Sequence, residues 1–394
     1  MASIFAARAG AQVRLLESTS TGGRKILISG GGRCNILPSQ LSPSDYVTAS
    51  SPNTLKKILL SWPLAQQRTF FEETLGIRLA LEEESGKLFP ASNRAQDVRE
   101  ALVSEARAAG VTMHFGTRVR GLAQRPPGWR ITTDTGELEA GSVVLATGGL
   151  SVPQTGSDGA GFRVTQSLGH TLNATYPALT PLTTQPAVHA PLAGISLKVR
   201  ISAPPPGGPF ATTGGFLFTH RGYSGPSVLN ASHLFVLSQM DSYNQALLAT
   251  WLGDDAPDWP SLLSSGGSGK VLPLIRRYLP DRLAEMIVTD ASVDGQRTLS
   301  QLRKDERAKL VERLTAYPLP CTGDEGYKKA EVTGGGVPLS EVVPQTLESR
   351  MAPGLFLCGE LLDAFGPIGG YNFAWAWATG RAAGLGAAAK TRAE

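Results

Sequence analysis

Residues 354–381, GLFLCGELLDAFGPIGGYNFAWAWATGR, decide how this chain is read. Leu355 to Leu357 form a short apolar strand, followed by Gly359-Glu360 and a turn carrying Asp363, Gly366 and Pro367. Gly369-Gly370 then opens a long Ala-rich helix that begins with Tyr371 and Asn372. A strand running into an acidic turn and a glycine-opened helix brings backbone N–H groups and a carboxylate together. That combination suits a ligand with both hydroxyls and anionic oxygens. The same glycines equally serve close packing of strand against helix.

Working outward, 394 residues are enough for two or three domains with sizeable cores. A hydrophobic share of 41% and a charged share of 18% exclude a disordered chain. Glycine is abundant (45 residues) and clusters at 22–23, 30–32, 148–149, 334–336 and 369–370, the distribution of phosphate-cradling turns rather than of a linker. Net charge is +4 and pI about 9.0, with cations scattered among acids. No basic run tracks a nucleic acid, so no nucleic-acid partner is expected and a small-molecule substrate is. Cys34, Cys321 and Cys358 make no CxxC pair and no metal-ligand spacing, which fits a reducing cytoplasm. No run of 18 apolar residues occurs, so no membrane span is expected. The N-terminal segment, lacking a continuous apolar core, is not a signal peptide.

Residues 2–9 are helical in character, Gly10 ends them, and Gln12 to Glu17 reads as a buried strand. Helix, turn, then a strand ending in an acid is the second half of a βαβ dinucleotide-binding unit, in which the acid holds ribose hydroxyls. Counted back from Glu17, the GxGxxG would precede Met1, so the chain is expected to begin inside the first helix, without the first strand and its phosphate loop. Residues 53–78 suggest helices, and 94–109 an amphipathic helix. Strands are predicted at 111–115, 117–123, 129–133 and 138–140. Val143 to Ala146 is an all-apolar strand of a parallel sheet ending in Thr147-Gly148-Gly149. Residues 180–235 carry alternating strand patterns and a turn-forming 204–208; 243–316 look helical, with a connector at 264–269. Strand character returns at 327–332. The expected fold is α/β: a discontinuous Rossmann-like domain (1–178 and 325–394) with an inserted β-barrel (about 179–240) plus helical bundle (about 241–318) at 179–324.

Four separated segments carry a resemblance. They are Gly22-Gly23-Arg24-Lys25-Ile26-Leu27-Ile28-Ser29-Gly30-Gly31-Gly32-Arg33-Cys34-Asn35, Phe216 to Pro226 (FLFTHRGYSGP), Ala330 to Val337 (AEVTGGGV) with Glu348-Ser349-Arg350 after it, and Gly354 to Arg381. In this order and spacing the chain resembles the BaiN-like (YhiN-like) FAD-binding flavoproteins, known also as NAD(P)/FAD-dependent or aminoacetone-oxidase-like oxidoreductases. The resemblance implies a two-dinucleotide-binding-domain-like fold around FAD, and covers the chain after the absent first strand. Family members carry the GxGxxG absent here, and their turn after the C-terminal acid reads Asp-Val-Asp-Gly where this chain has Asp363-Ala364-Phe365-Gly366.

Within that resemblance Glu17 accepts from the adenosine ribose, or is a solvated strand-end acid. Arg24 and Lys25 neutralise the pyrophosphate, and Ser29, Gly30, Gly31 and Gly32 let backbone N–H groups approach it, unless they form a plain surface loop. Arg33 is a ligand contact or a surface charge, and Asn35 a contact or a cap. Val119 offers backbone contacts to adenine or is simply buried. Thr147, Gly148 and Gly149 end a strand beside the cofactor. Gly359 and Glu360 meet the ribityl hydroxyls. Gly369, Gly370, Tyr371 and Asn372 open a helix whose dipole stabilises negative charge near N1–C2=O of reduced flavin. His220 and Ser224 are the weak catalytic candidates, a lone strand histidine being more often structural. Nothing in the sequence forms a metal site or a Ser-His-Asp triad.

The expected activity is FAD-dependent oxidation or reduction of a small organic substrate, with NAD(P)H or oxygen as electron partner. Two alternatives stand beside it: a relative of the FAD/folate-dependent tRNA-modifying methyltransferases, which share this architecture, and a truncated non-catalytic remnant.

Overall fold

The computed structural model describes residues 1–205, 210–264 and 268–393. The chain forms two compact units, Met1–Pro177 with Glu331–Glu394, and Ala178–Ala330.

In the first unit the opening helix, Ala2–Arg8, ends at a turn in which Gly10 takes φ +91°. The strand Arg14–Glu17 follows and pairs in parallel with Thr112–Phe115. Val143–Leu145 pairs in parallel with Leu355–Leu357, whose three side chains are fully buried. Full burial on both faces is what an all-apolar strand requires. The helix Ala95–Ala108 turns Ala95, Val98 and Ala106 inward. The final helix, Tyr371–Ala393, is rich in Ala and Gly because it packs at close range: a Cβ on Gly384 would lie 2.2 Å from Ala2 O. A meander of three strands (Val119–Arg125, Gly128–Thr133, Gly136–Ala140) completes the dinucleotide-binding plan.

Two features of this unit depart from expectation. Leu37–Pro38, Lys87–Pro90 and Leu79–Glu82 form a three-stranded sheet that the short, charged LALEEESGKLFP stretch did not signal. Arg24–Ile28, given no secondary structure by the sequence reading, is a helix of one turn and a half, entered through the left-handed Gly23.

The second unit holds a seven-stranded antiparallel sheet. Its spatial order is Tyr317–Pro318, Leu248–Trp251, Ser196–Ala203, Phe210–Phe218, Gly222–Ser224, Leu182–Thr183 and Gly323–Asp324. The two outermost strands are consecutive in the chain, so the sheet curls until its edges approach, as a barrel does. Phe216, Phe218, Trp251 and Trp259 fill its core. Here too the sequence reading needs correction. Pro226–Met240 is a helix inside the stretch assigned to β structure, and Leu248–Trp251 is a strand inside the stretch assigned to helices. The helical part proper comprises Trp259–Ser264, Val271–Ile275, Asp281–Asp290 and Lys304–Thr315. Most of the predicted 204–208 turn and the centre of the 264–269 connector lie outside the described residues. Strand 327–332 begins later than expected, at Val332, and runs through the glycines to Gly336.

Candidate functional site

The centre of the first unit is a closed polar cluster at the C-terminal ends of the buried strands. Glu360 lies in the tight turn Gly359–Leu361 that follows Leu355–Leu357. Its Oε2 accepts from Lys25 Nζ at 2.6 Å. Its Oε1 accepts from Ser151 Oγ at 2.7 Å and from Thr333 N at 2.9 Å. Lys25 also donates to Ser151 Oγ at 2.6 Å, and Thr333 Oγ1 accepts from the backbone of Leu150 and Ser151. The structure thus pairs two residues that the sequence reading assigned separately, Lys25 to pyrophosphate and Glu360 to ribityl hydroxyls. Ser151 and Thr333 were missed as its partners; their places beside Gly148-Gly149 and Gly334–Gly336 were the available signal.

The 22–35 segment supplies the cluster's cation and a strained loop. Gly30, Gly31, Gly32 and Cys34 all take positive φ, +55°, +67°, +84° and +61°. Three consecutive left-handed residues are accessible only to glycine without strain, and Cys34 N closes the loop on Ser29 O at 3.1 Å. Ser29 Oγ donates to Ile26 O, and burial pushes the Cys34 thiol up to about 11, marking it as a packing residue. Arg24 donates to Gln154 O at 3.2 Å, while Arg33 pairs with Glu82 and lies 4.0 Å from the Phe89 ring centre. Glu17, at the end of its strand, accepts from Thr19 N at 2.7 Å.

The final helix begins at Tyr371. Its amide oriented to satisfy both neighbours, Asn35 accepts from Gly370 N at 3.2 Å and donates to Leu37 O at 3.3 Å, tying the turn before the final helix to the strand Leu37–Pro38. Asn372 accepts from Gly366 N and donates to Gly366 O, holding the preceding turn. Tyr371 receives Tyr46 OH on its carbonyl, and burial raises its phenol.

The glycines divide into two sorts. Protein atoms fill the Cβ positions of Gly149 (2.5 Å from Thr333 Oγ1) and Gly370 (2.5 Å from Leu37 C), so these are packing glycines. Gly148 belongs with them, 2.8 Å from Ser157 Oγ, and Thr147 lies against Gly161. By contrast, a Cβ on Gly31 or Gly359 meets nothing within 4 Å, and one on Gly369 only side chains at 3.6–3.7 Å. Gly359 N–H and C=O are taken by Thr379 and Trp375, leaving only its α-carbon face free. These open faces, the half-buried carboxylate and ammonium, and the amino end of a 23-residue helix make a donor set that fits a dinucleotide carrying hydroxyls, phosphates and a ring. Val119 is 37% exposed at a strand irregularity, not buried.

His220 and Ser224 belong to the other unit, His220 exposed in the turn between Phe210–Phe218 and Gly222–Ser224, and Ser224 paired with Leu217. One buried grouping that the sequence reading did not single out has Ser-His-Glu spacing. His170 Nε2 lies 2.8 Å from Ser349 Oγ and its Nδ1 2.7 Å from Glu341 Oε2.

A family described as HI0933-like protein Rossmann domain matches residues 1–386. The chain is 32% identical to the ribosomal RNA dihydrouridine synthase of Escherichia coli (strain K12), over 96% of this chain and 92% of that protein. It is 31% identical to the 3-dehydro-bile acid delta(4,6)-reductase of Clostridium scindens, over 98% and 96%. Among solved structures a quinol-fumarate reductase with menaquinol molecules matches at TM-score 0.50 and 13% identity, covering 99% of this chain and 69% of that one, a likeness of fold. Two relatives named for ribosomal RNA remove the ground for excluding nucleic acid on charge distribution. No helix among the described residues is long and apolar enough to cross a membrane.

Proposed function

Because the chain belongs to the HI0933-like family of FAD-binding Rossmann proteins, we propose that this flavin-dependent oxidoreductase reduces a carbon–carbon double bond conjugated with a carbonyl group. The two named activities share that chemistry. Forming dihydrouridine saturates a bond conjugated with the pyrimidine C4 carbonyl, and a delta(4,6)-reductase of a 3-dehydro bile acid saturates one conjugated with the C3 ketone. In both, a hydride adds to the electron-poor carbon and a proton to its neighbour, while a reductant, here proposed to be NAD(P)H, gives up two electrons. Bound FAD supplies the hydride-transfer chemistry.

The observation carrying this reading is the Lys25–Glu360–Ser151 cluster, which adjoins the open face of Gly359, together with the open faces of Gly31 and Gly369 in the same unit. In it Glu360 and Lys25 hold hydroxyl and phosphate oxygens, with Ser29 to Gly32 and Arg24 on the pyrophosphate side. Arg33 flanks that loop and Asn35 fixes the final helix against it. Glu17 and Val119 serve the adenosine end, and Thr147 to Gly149 line the middle. Tyr371 and Asn372 anchor the helix end at the ring, where its dipole favours negative charge. His220 and Ser224 remain candidates for substrate contact. The methyltransferase reading is set aside, since the relatives matched along nearly their whole length bear reductase and dihydrouridine synthase names.

The test is direct. Purified full-length protein should carry or take up FAD, visible as flavin absorbance. Under anaerobic NADH or NADPH it should then consume either uridine in ribosomal RNA or a 3-oxo-4,6-diene steroid. Flavin binding with neither substrate class reduced would overturn the substrate reading; no flavin uptake would overturn the whole.

A further inference from the structure

We infer that Lys87 is an electrostatic positioning residue of the flavin site, its ammonium setting the balance between oxidised and reduced cofactor at the amino end of the final helix. The inference rests on the FAD placement proposed above. Lys87 opens the strand Lys87–Pro90 and stands directly opposite Glu82 on Leu79–Glu82. Opposite charges at such positions normally pair. Here Glu82 is already committed: Arg33 Nη1 donates to its Oε1 at 3.0 Å and Ser85 Oγ to its Oε2. Among the described residues no carboxylate oxygen lies within 4.0 Å of Lys87 Nζ.

The lysine instead runs along the glycine turn before the final helix. A Cβ on Gly369 would lie 3.7 Å from both Lys87 Cγ and Lys87 Cε. Gly369 and Gly370, at φ +119° and +94°, lead into the 23-residue helix Tyr371–Ala393. That end of a helix carries about half a positive charge, so a cation beside it is placed against the dipole. The arrangement is unfavourable until an anion sits between the two. The other carboxylate within electrostatic reach is the exposed Glu331, whose charged form Lys87 and Lys25 both favour. Lys25 is ion-paired with Glu360, whereas Lys87, whose charge is felt by Glu82 and Glu331, has no ion pair among the described residues. Reduced flavin carries negative charge on its N1–C2=O side, the anion that both the helix end and the ammonium favour.

The experiment uses the full chain reconstituted with FAD, as wild type, Lys87→Gln and Lys87→Arg. Folding is checked by far-UV circular dichroism. Spectroelectrochemical titration gives the flavin midpoint potential and fluorescence quenching its dissociation constant, neither needing a substrate. Lys87→Gln is expected to shift the reduced-to-oxidised ratio at least tenfold towards oxidised, about 30 mV for a two-electron couple. Lys87→Arg should stay close to wild type. Loss of FAD by the Gln variant with retention by the Arg variant supports the same role. A folded, FAD-loaded Lys87→Gln protein with the wild-type potential overturns it while the flavin reading stands. Wild-type protein that takes up no FAD overturns both.

Discussion

Lys25 Nζ stands 2.6 Å from Glu360 Oε2 across 335 positions of sequence, and Ser151 Oγ bridges the two. The pair is partly shielded from water, with side-chain exposures of 31% and 16%, so screening does not erase it. Removing Lys25 leaves a carboxylate short of its cation and removing Glu360 does the converse, each costing about 1–3 kcal/mol. Urea denaturation of Lys25→Met, Glu360→Gln and the double variant should give a coupling energy of about 1 kcal/mol or more. Strictly additive losses would show that the contact contributes nothing to the fold.

That contact also marks how far the sequence could be read. The strands Val143–Leu145 and Leu355–Leu357 were legible because buried parallel strands are apolar on both faces. Lys25 and Glu360 were each legible as polar residues in a ligand setting, but nothing in a linear chain tells which distant acid meets which base. Arg24–Ile28 was hidden because five residues between glycine clusters are too few to show a helical period. Pro226–Met240 was hidden for the opposite reason. Nine of its residues are buried, spread around the helix, so no polar face alternates with an apolar one. Leu248–Trp251 is a central strand of only four residues, and its partners Ser196–Ala203 and Tyr317–Pro318 come from far along the chain.

The division of the glycines into packing and open sorts predicts opposite consequences for one substitution. Gly370→Ala forces a left-handed backbone on alanine and drives its methyl to 2.5 Å from Leu37 C. Strain and overlap together should cost about 3 kcal/mol or more. Gly31→Ala meets empty space, so only the backbone term of about 1–2 kcal/mol applies. Its larger effect is expected on FAD affinity. Paired urea curves and flavin titrations read both, and a Gly31→Ala protein with unchanged FAD affinity would remove that loop from the site.

Ser349, His170 and Glu341 have the spacing of a hydrolase triad without its chemistry. Ser349 Oγ accepts from Met351 N at 3.1 Å and Ala352 N at 2.8 Å, so its hydrogen is directed to His170 Nε2, and Nδ1–H donates to Glu341. Both Ser349 and His170 are 4% exposed, which leaves no approach for a substrate carbonyl. A fluorophosphonate probe should leave Ser349 unmodified. Ser349→Ala should lower stability by about 1–3 kcal/mol through the orphaned histidine nitrogen and backbone N–H groups. Covalent labelling found by peptide mass spectrometry at Ser349 would refute the structural assignment.

His233 makes the second unit sensitive to mild acid. It lies in the helix Pro226–Met240, 5% exposed, with Nδ1 3.0 Å from Asn230 O and its ring edge-on to Phe210. Burial lowers its pKa from 6.5 to about 4, against a smaller opposing effect of the Asn230 carbonyl. The folded state therefore holds the ring neutral over a range in which the unfolded chain protonates it. Stability is full above pH 6.5, declines as pH falls, and levels off near pH 4, a loss of about 3 kcal/mol. His189, also lowered by burial with Asp290 opposing, changes in the same direction. The lowered carboxylates Glu82 and Glu306 lose their contributions only below their ordinary value of 4.5, so they fall largely outside this window. Urea midpoints at pH 7.5 and pH 4.5 should thus separate wild type from His233→Leu. The variant is expected to lose about 2–3 kcal/mol less on acidification, because the unfolded chain no longer gains that proton. If both proteins weaken equally between these pH values, the acid sensitivity arises elsewhere and the buried neutral His233 plays no part in it.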